Sequence, residues 1–109
     1  MTLTATSVRE VLDDSLDLLR GKEDGTDSPR LMSRLESVRS VLIRNEKKIW
    51  LRTKKGRGML VEVNEAAERL MNSLASSGEL DAVDAALGDV ETLARAIEEE
   101  SRKRNMVVT

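Results

Sequence analysis

Half of the residues from Arg44 to Arg57 are basic. Arg44, Lys47, Lys48, Arg52, Lys54, Lys55 and Arg57 take seven of fourteen positions, and only Glu46 opposes them. Cations at this density neutralise phosphate or carboxylate oxygens. On a nucleic acid, a full set of seven phosphate contacts would give a salt slope of about −6. Trp50, the one aromatic residue of the chain, stands inside the run. A tryptophan there can stack on an unpaired base, or it can anchor a protein interface by burying a large area around a single N–H donor. No helix-turn-helix or zinc-finger spacing accompanies the run.

Catalytic chemistry has little to draw on. The chain holds no Cys, His or Tyr, so the usual nucleophiles, general bases and imidazole or thiolate metal ligands are missing. The carboxylates come in short runs, Asp13, Asp14 and Asp17 on one side and Glu98, Glu99 and Glu100 on the other. Consecutive positions of a helix diverge by about 100°, so such runs do not converge on one ion. "EDGTD" lacks the spacing of an EF-hand loop, and "GKEDGTDS" lacks the ending of a phosphate loop. The expectation is a non-enzymatic protein with no catalytic residues, no cofactor and no metal.

The elements that must position the basic run follow from apolar periodicity. Val8, Val11, Leu12, Leu16 and Leu19 mark a first helix over about 7–21. Ser7 and Glu10 form a capping box at its start, and Gly21 suits a left-handed end. Lys22 to Asp27 reads as a polar loop. Ser28-Pro29 opens a second helix, predicted over about 29–55, with Leu31, Leu35, Val38, Leu42 and Ile49 on one face and Asn45 interrupting the stripe. Leu60, Val63, Ala67, Leu70 and Leu74 mark a third, over about 59–76. Ser76 and Glu79 offer another capping box. A fourth helix over about 77–103 carries Leu80, Val83, Leu87, Val90, Ala94 and Ile97, with Gly88 inside it and a tail at 104–109. Ala85, Ala86 and Gly88 would let a neighbour approach closely.

In this reading Met32, Ile43 and Trp50 fall on a second line of the long helix, on the flank of its core stripe. Arg44, Lys47, Lys48, Arg52 and Lys55 gather on the side opposite that stripe. The competing assignment is a β-hairpin at about 47–63, "KIWLRT" against "GMLVEV" across "KKGR". Its weakness is the continuous apolar triplets, which do not alternate. Lys54 and Lys55 in a last helical turn, with Gly56 after them, agree with the helix dipole.

Charge is segregated. Residues 1–28 hold three basic and seven acidic residues, residues 29–57 ten and two, and residues 58–109 five and eleven. The cationic middle therefore meets either an anionic partner or the protein's own acidic helices. At 109 residues the chain is one domain's worth, with a core built from Leu, Val, Ala, Ile and Met. The expected fold is all-α: a four-helix antiparallel bundle, or helical hairpins with coiled-coil-like packing.

The expected function is binding of a protein partner or a second copy of the chain, as an adaptor or oligomer. It would use the heptad seams and the Met32/Ile43/Trp50 line. The alternative is a small nucleic-acid-binding protein using Arg44–Arg57. "MTLTATSVRE" has neither a basic n-region nor an apolar core. No apolar run reaches membrane-spanning length. A soluble, intracellular protein without a membrane partner is expected.

Overall fold

A computed structural model of the chain describes residues 4–21, 28–76 and 80–107, and among them every regular element is a helix. The elements are α1 (Ala5–Arg20), α2 (Ser28–Asn45), a 3₁₀ turn (Ile49–Arg52), α3 (Lys54–Ala75) and α4 (Leu80–Val107). The fold is an all-α helical bundle. No strand occurs among the described residues, and 54–63 lie in α3, so the β-hairpin alternative is excluded.

The periodic apolar positions build the core. Val8, Leu12, Leu16 and Leu19 of α1 are buried, as are Leu31, Leu35, Val38 and Leu42 of α2. From α3 come Leu60, Val63, Ala67, Leu70 and Leu74, and from α4 Val83, Leu87, Val90, Ala94 and Ile97. Each set forms one stripe at 3-4 spacing, and a stripe is stable only when another covers it. All four are consumed inside the chain, so the heptad seams expected to face a partner form the internal core instead.

Ion pairs reveal the helix directions. Arg9 of α1 meets Glu46, just past the end of α2, and Asp13 meets Arg39, so α1 and α2 run antiparallel. Arg34 of α2 reaches Asp84 and Glu91 of α4, and Arg44 reaches Glu98, so α2 and α4 run parallel. Lys55 near the start of α3 meets Glu100 near the end of α4, so that pair is antiparallel. It follows that α1 and α3, which pack together, are also parallel. The bundle is two antiparallel hairpins, α1–α2 and α3–α4, joined by a connection that crosses the end where α2 stops and α3 starts.

That crossing corrects the long second helix predicted over 29–55. The helix stops at Asn45, which is buried at the very place where it interrupts the apolar stripe. Its amide donates to the Val41 carbonyl at 2.7 Å and to Glu98 Oε2 at 2.7 Å. Ten more helical residues would carry the chain about 15 Å beyond the core. Leaving the helix instead lets Trp50 and Leu51 turn inward and close the end of the bundle, with both side chains buried.

Thr53 then does two jobs with one hydroxyl. It donates to the Trp50 carbonyl at 2.6 Å, and it accepts from the Gly56 N–H at 3.2 Å as the N-cap of α3. Gly56 therefore begins a helix rather than ending one. A Cβ on it would stand 2.4 Å from the Trp50 carbonyl oxygen and 2.4 Å from Leu51 Cα. Only glycine lets the 3₁₀ turn lie against the start of α3.

Smaller corrections concern helix ends. Thr4, not Ser7, caps α1, accepting from the Ser7 N–H at 3.2 Å. The helix starts early because Ala5 is already part of the core. Gly21 is right-handed at φ −76°, and its N–H meets the Asp17 carbonyl without a left-handed turn. Pro29 sits in the first turn of α2, where its missing N–H costs nothing. The helix α4 extends to Val107, through the first part of the predicted tail. The predicted loop Lys22–Asp27 and residues 77–79, with Glu79 of the second capping box, lie outside the described residues.

Three glycine-to-alanine substitutions separate these environments. Gly56→Ala is expected to lower stability by about 2–3 kcal/mol through overpacking. Nothing lies within 4 Å of a Cβ at Gly58 or Gly88. Gly58→Ala and Gly88→Ala are each expected to raise stability by about 0.5–1 kcal/mol. Urea denaturation of the three variants checks the signs. An unchanged or raised midpoint for Gly56→Ala would show that the turn does not pack as described.

Candidate functional site

The end of the bundle where α2, the 3₁₀ turn and the start of α3 meet is organised by a buried polar chain. Trp50 Nε1 donates to Ser101 Oγ at 2.8 Å, and Ser101 Oγ donates to Asn45 Oδ1 at 2.6 Å. Arg104 lies over the Trp50 ring at 5.1 Å from its centroid, on the α4 side. Trp50 is 7% exposed. It is a core residue satisfied from within, which is what a buried indole N–H requires. Met32 is half-buried against the core, and Ile43 is 37% exposed. Because α2 ends at Asn45, these three do not form a line on one helix, and Trp50 presents no face to a base or a partner.

The basic segment divides in two. Arg44 pairs with Glu98 at 3.2 Å, and Lys55 with Glu100 at 3.1 Å. Upstream, Arg30 and Arg34 reach α4 as well. Part of the cationic segment thus lies on the protein's own acidic helix. The electrostatics record this. Glu91 first and Asp84 second raise Arg34 above its ordinary value, and Arg34 lowers Asp84. The Asn45 amide, and after it Arg44 and Arg102, hold the Glu98 carboxyl below the usual carboxylate range. Lys55 and then Arg104 do the same for Glu100.

Lys47, Lys48, Arg52, Lys54 and Arg57 have no acidic partner among the described residues. Four of them, all but Lys54, line one cavity of about 320 Å³. Its other walls are Thr4, Ala5 and Thr6 at the start of α1, Glu46, and an apolar floor of Leu51 and Leu60. Glu46, the one acid in the lining among the described residues, is ion-paired with Arg9 Nε at 3.4 Å without a hydrogen bond. Ile49, 78% exposed, stands beside the cations in the 3₁₀ turn. The stripe of bases expected opposite the core of a long helix is therefore a cluster drawn from a loop, a 3₁₀ turn and a helix start.

The placement of the cations at the start of α3 runs against helix electrostatics. Lys54, Lys55 and Arg57 sit in the first turn of α3, where the dipole is positive, and that turn holds no acid. The first turn of α1 also has none, and it opens on the same cavity. Lys47 and Lys48, just past the end of α2, stand where the dipole favours cations. Among the described residues, only Lys55 of the first-turn bases of α3 has an acid to offset the repulsion.

Sequence reasoning found the cations and missed Thr4, Thr6 and Glu46. Nothing local relates the start of α1 to residue 57. The Thr53 cap three residues before Gly56 was a legible sign that a new helix begins there.

The acidic runs are dispersed. Asp13 faces Arg39, Asp17 faces Arg20, and Glu98 and Glu100 face α2 and α3 respectively. No protein-family model matches the chain, and neither a curated protein nor a solved structure is significantly similar to it.

Two measurements follow. The lowered carboxyls of Glu98, Glu100 and Asp84 contribute stability above their ordinary values, 4.5 for glutamate and 3.8 for aspartate, and that contribution disappears as pH falls through their folded values. The melting temperature is expected to drop between about pH 5 and pH 3, with a shallower drop for Glu98→Gln. Equal slopes would dismiss the Glu98 contribution. Lys54→Glu, which places an acid in the first turn of α3, is expected to stabilise the fold by about 0.5 kcal/mol, read by urea denaturation at low salt.

Proposed function

We propose that the protein is a non-enzymatic binding module that docks an acidic segment of a partner protein on this end of the bundle. The observation that carries the reading is the set of five cations that have no acidic partner among the described residues, two of which, Lys54 and Arg57, stand in the acid-free first turn of α3. A purely structural surface gains nothing from such a cluster, whereas a binding surface keeps it at a cost in stability. The exposed Ile49 beside it supplies an apolar contact of the kind that sets specificity within a charged rim. Charge complementarity of this sort speeds encounter and selects partners by sign.

Nucleic acid is the competing occupant. Five phosphate contacts would give a salt slope of about −4.5 on duplex DNA. The burial of Trp50 removes the stacking platform that a single-strand binder uses. The chain's net charge of −2 also disfavours a long polyanion running past the bundle end.

Fluorescence anisotropy decides between them. A labelled peptide of alternating Glu and Leu is expected to bind at low salt. Arg52→Glu combined with Lys54→Glu should weaken it by about tenfold or more. Ile49→Ser should weaken it while leaving the salt dependence unchanged. Binding of DNA or RNA oligonucleotides with no binding of the peptide would overturn the proposal in favour of the nucleic-acid reading. Binding of neither would dismiss both.

A further inference from the structure

We infer that the cavity between the start of α1 and the start of α3 takes a phosphomonoester group. The inference rests on the reading of this end as a binding surface and names the chemistry of its deepest part. Lys47, Lys48, Arg52 and Arg57 line the cavity from the loop after α2, the 3₁₀ turn and the start of α3, and among the described residues the one acid in its wall, Glu46, is ion-paired with Arg9. A carboxylate brings one negative charge and two acceptor oxygens to four cations. A phosphomonoester brings about −1.5 to −2 charges at pH 7 and three acceptor oxygens, and so matches the donors more closely.

The donor types fit as well. Two guanidinium forks and two ammonium groups line the cavity, and guanidinium binds phosphate oxygens in pairs. Thr6 adds a hydroxyl at the rim. The Ala5 and Thr6 N–H groups belong to the opening turn of α1, and among the described residues they have no acceptor. They supply helix-start polarity to a site that the side chains already define. The size agrees: about 320 Å³ admits a phosphate and the first atoms of its ester, over the apolar floor of Leu51 and Leu60. It is at the small end of ligand sites.

The group can come from a phosphorylated serine of the docked partner or from a free small phosphomonoester. Isothermal titration separates them with four probes: a Glu/Leu peptide carrying one phosphoserine, the same peptide with serine, the same with glutamate in that place, and free O-phosphoserine. The phosphopeptide is expected to bind about tenfold or more tightly than its serine twin. Its advantage should shrink between pH 7 and pH 5.5, because the second ionisation of a phosphomonoester lies near pH 6 while glutamate stays charged.

Lys48→Ala with Arg57→Ala should abolish that advantage. Lys54→Ala, outside the cavity, should change it by less than about threefold. Arg57→Ala removes a cation from the first turn of α3, so the double variant is expected to melt no lower than the parent, and its melting curve confirms that it folds. Free O-phosphoserine competing with the phosphopeptide and lost in the same double variant would also support the cavity, and would make the source a free phosphomonoester.

Phosphopeptide, serine and glutamate peptides binding alike would overturn the inference and leave the docking surface intact. Binding of free O-phosphoserine with no binding of any peptide would uphold the cavity and dismiss the protein-docking reading.

Discussion

The hydrogen-bonded chain from Trp50 through Ser101 to Asn45 and Glu98 is the contact on which the rest of this fold depends. It draws on the end of α2, the connection that follows, and the last turns of α4, and it satisfies every side chain it buries. A half-satisfied network in such a place would cost more than an apolar one. Fully satisfied, it ties the end of α2 to α4 through Asn45, which bonds Val41 and Glu98 there. It also pulls the 3₁₀ turn inward, which brings that backbone onto Gly56 at a distance no other residue allows. The crossing between the two hairpins, and with it the parallel pairing of α2 with α4, is held at this point.

Parallel neighbours place like ends of their dipoles together, and the bundle answers this differently at its two seams. Between α2 and α4 it uses side-chain charge: Arg30, Arg34 and Arg44 face Asp84, Glu91 and Glu98 along the pair. At the start of α3 it does the opposite, adding Lys54, Lys55 and Arg57 to a positive pole. One chain segment thus serves two purposes. Its first part neutralises the acidic face of α4, and most of its later part has no counter-charge among the described residues at the bundle end. The second arrangement costs stability locally, and this is what separates it from an ordinary solvated face.

The functional reading follows from that contrast together with what the chain lacks. The chain holds no histidine, cysteine or tyrosine, and the basic residues of this end carry the proposal. Tryptophan, the residue that first suggested an aromatic platform, is spent on internal packing. The exposed apolar group at this end is Ile49 instead.

Much of the fold was legible in the residues. Leu31, Leu35, Val38 and Leu42 repeat at helical spacing, as do Leu60 to Leu74 and Val83 to Ile97. A stripe of that kind buries one face whatever the neighbours are, so periodicity, with Val8 to Leu19 as the fourth stripe, pointed to four helices, and only the structure excluded the hairpin at about 47–63. The bases of Arg44–Arg57 and the missing nucleophiles are equally plain from composition.

Where α2 ends was not legible in that pattern. Ile49 continues the stripe in register yet is exposed, because the helix has already stopped. The stop depends on Ser101, whose hydroxyl lies 51 positions along the chain from the indole it accepts from. The same holds for the site. Arg44 and Lys55 are as basic as Lys48 and Arg57, and only the packing of α4 against one pair and of α1 beside the other determines which charges are answered within the chain and which stay available to a partner. Local spacing sets which face of a helix is apolar. The distance between charges on different helices belongs to the tertiary structure, because Coulomb attraction acts between side chains that folding, not chain order, brings together.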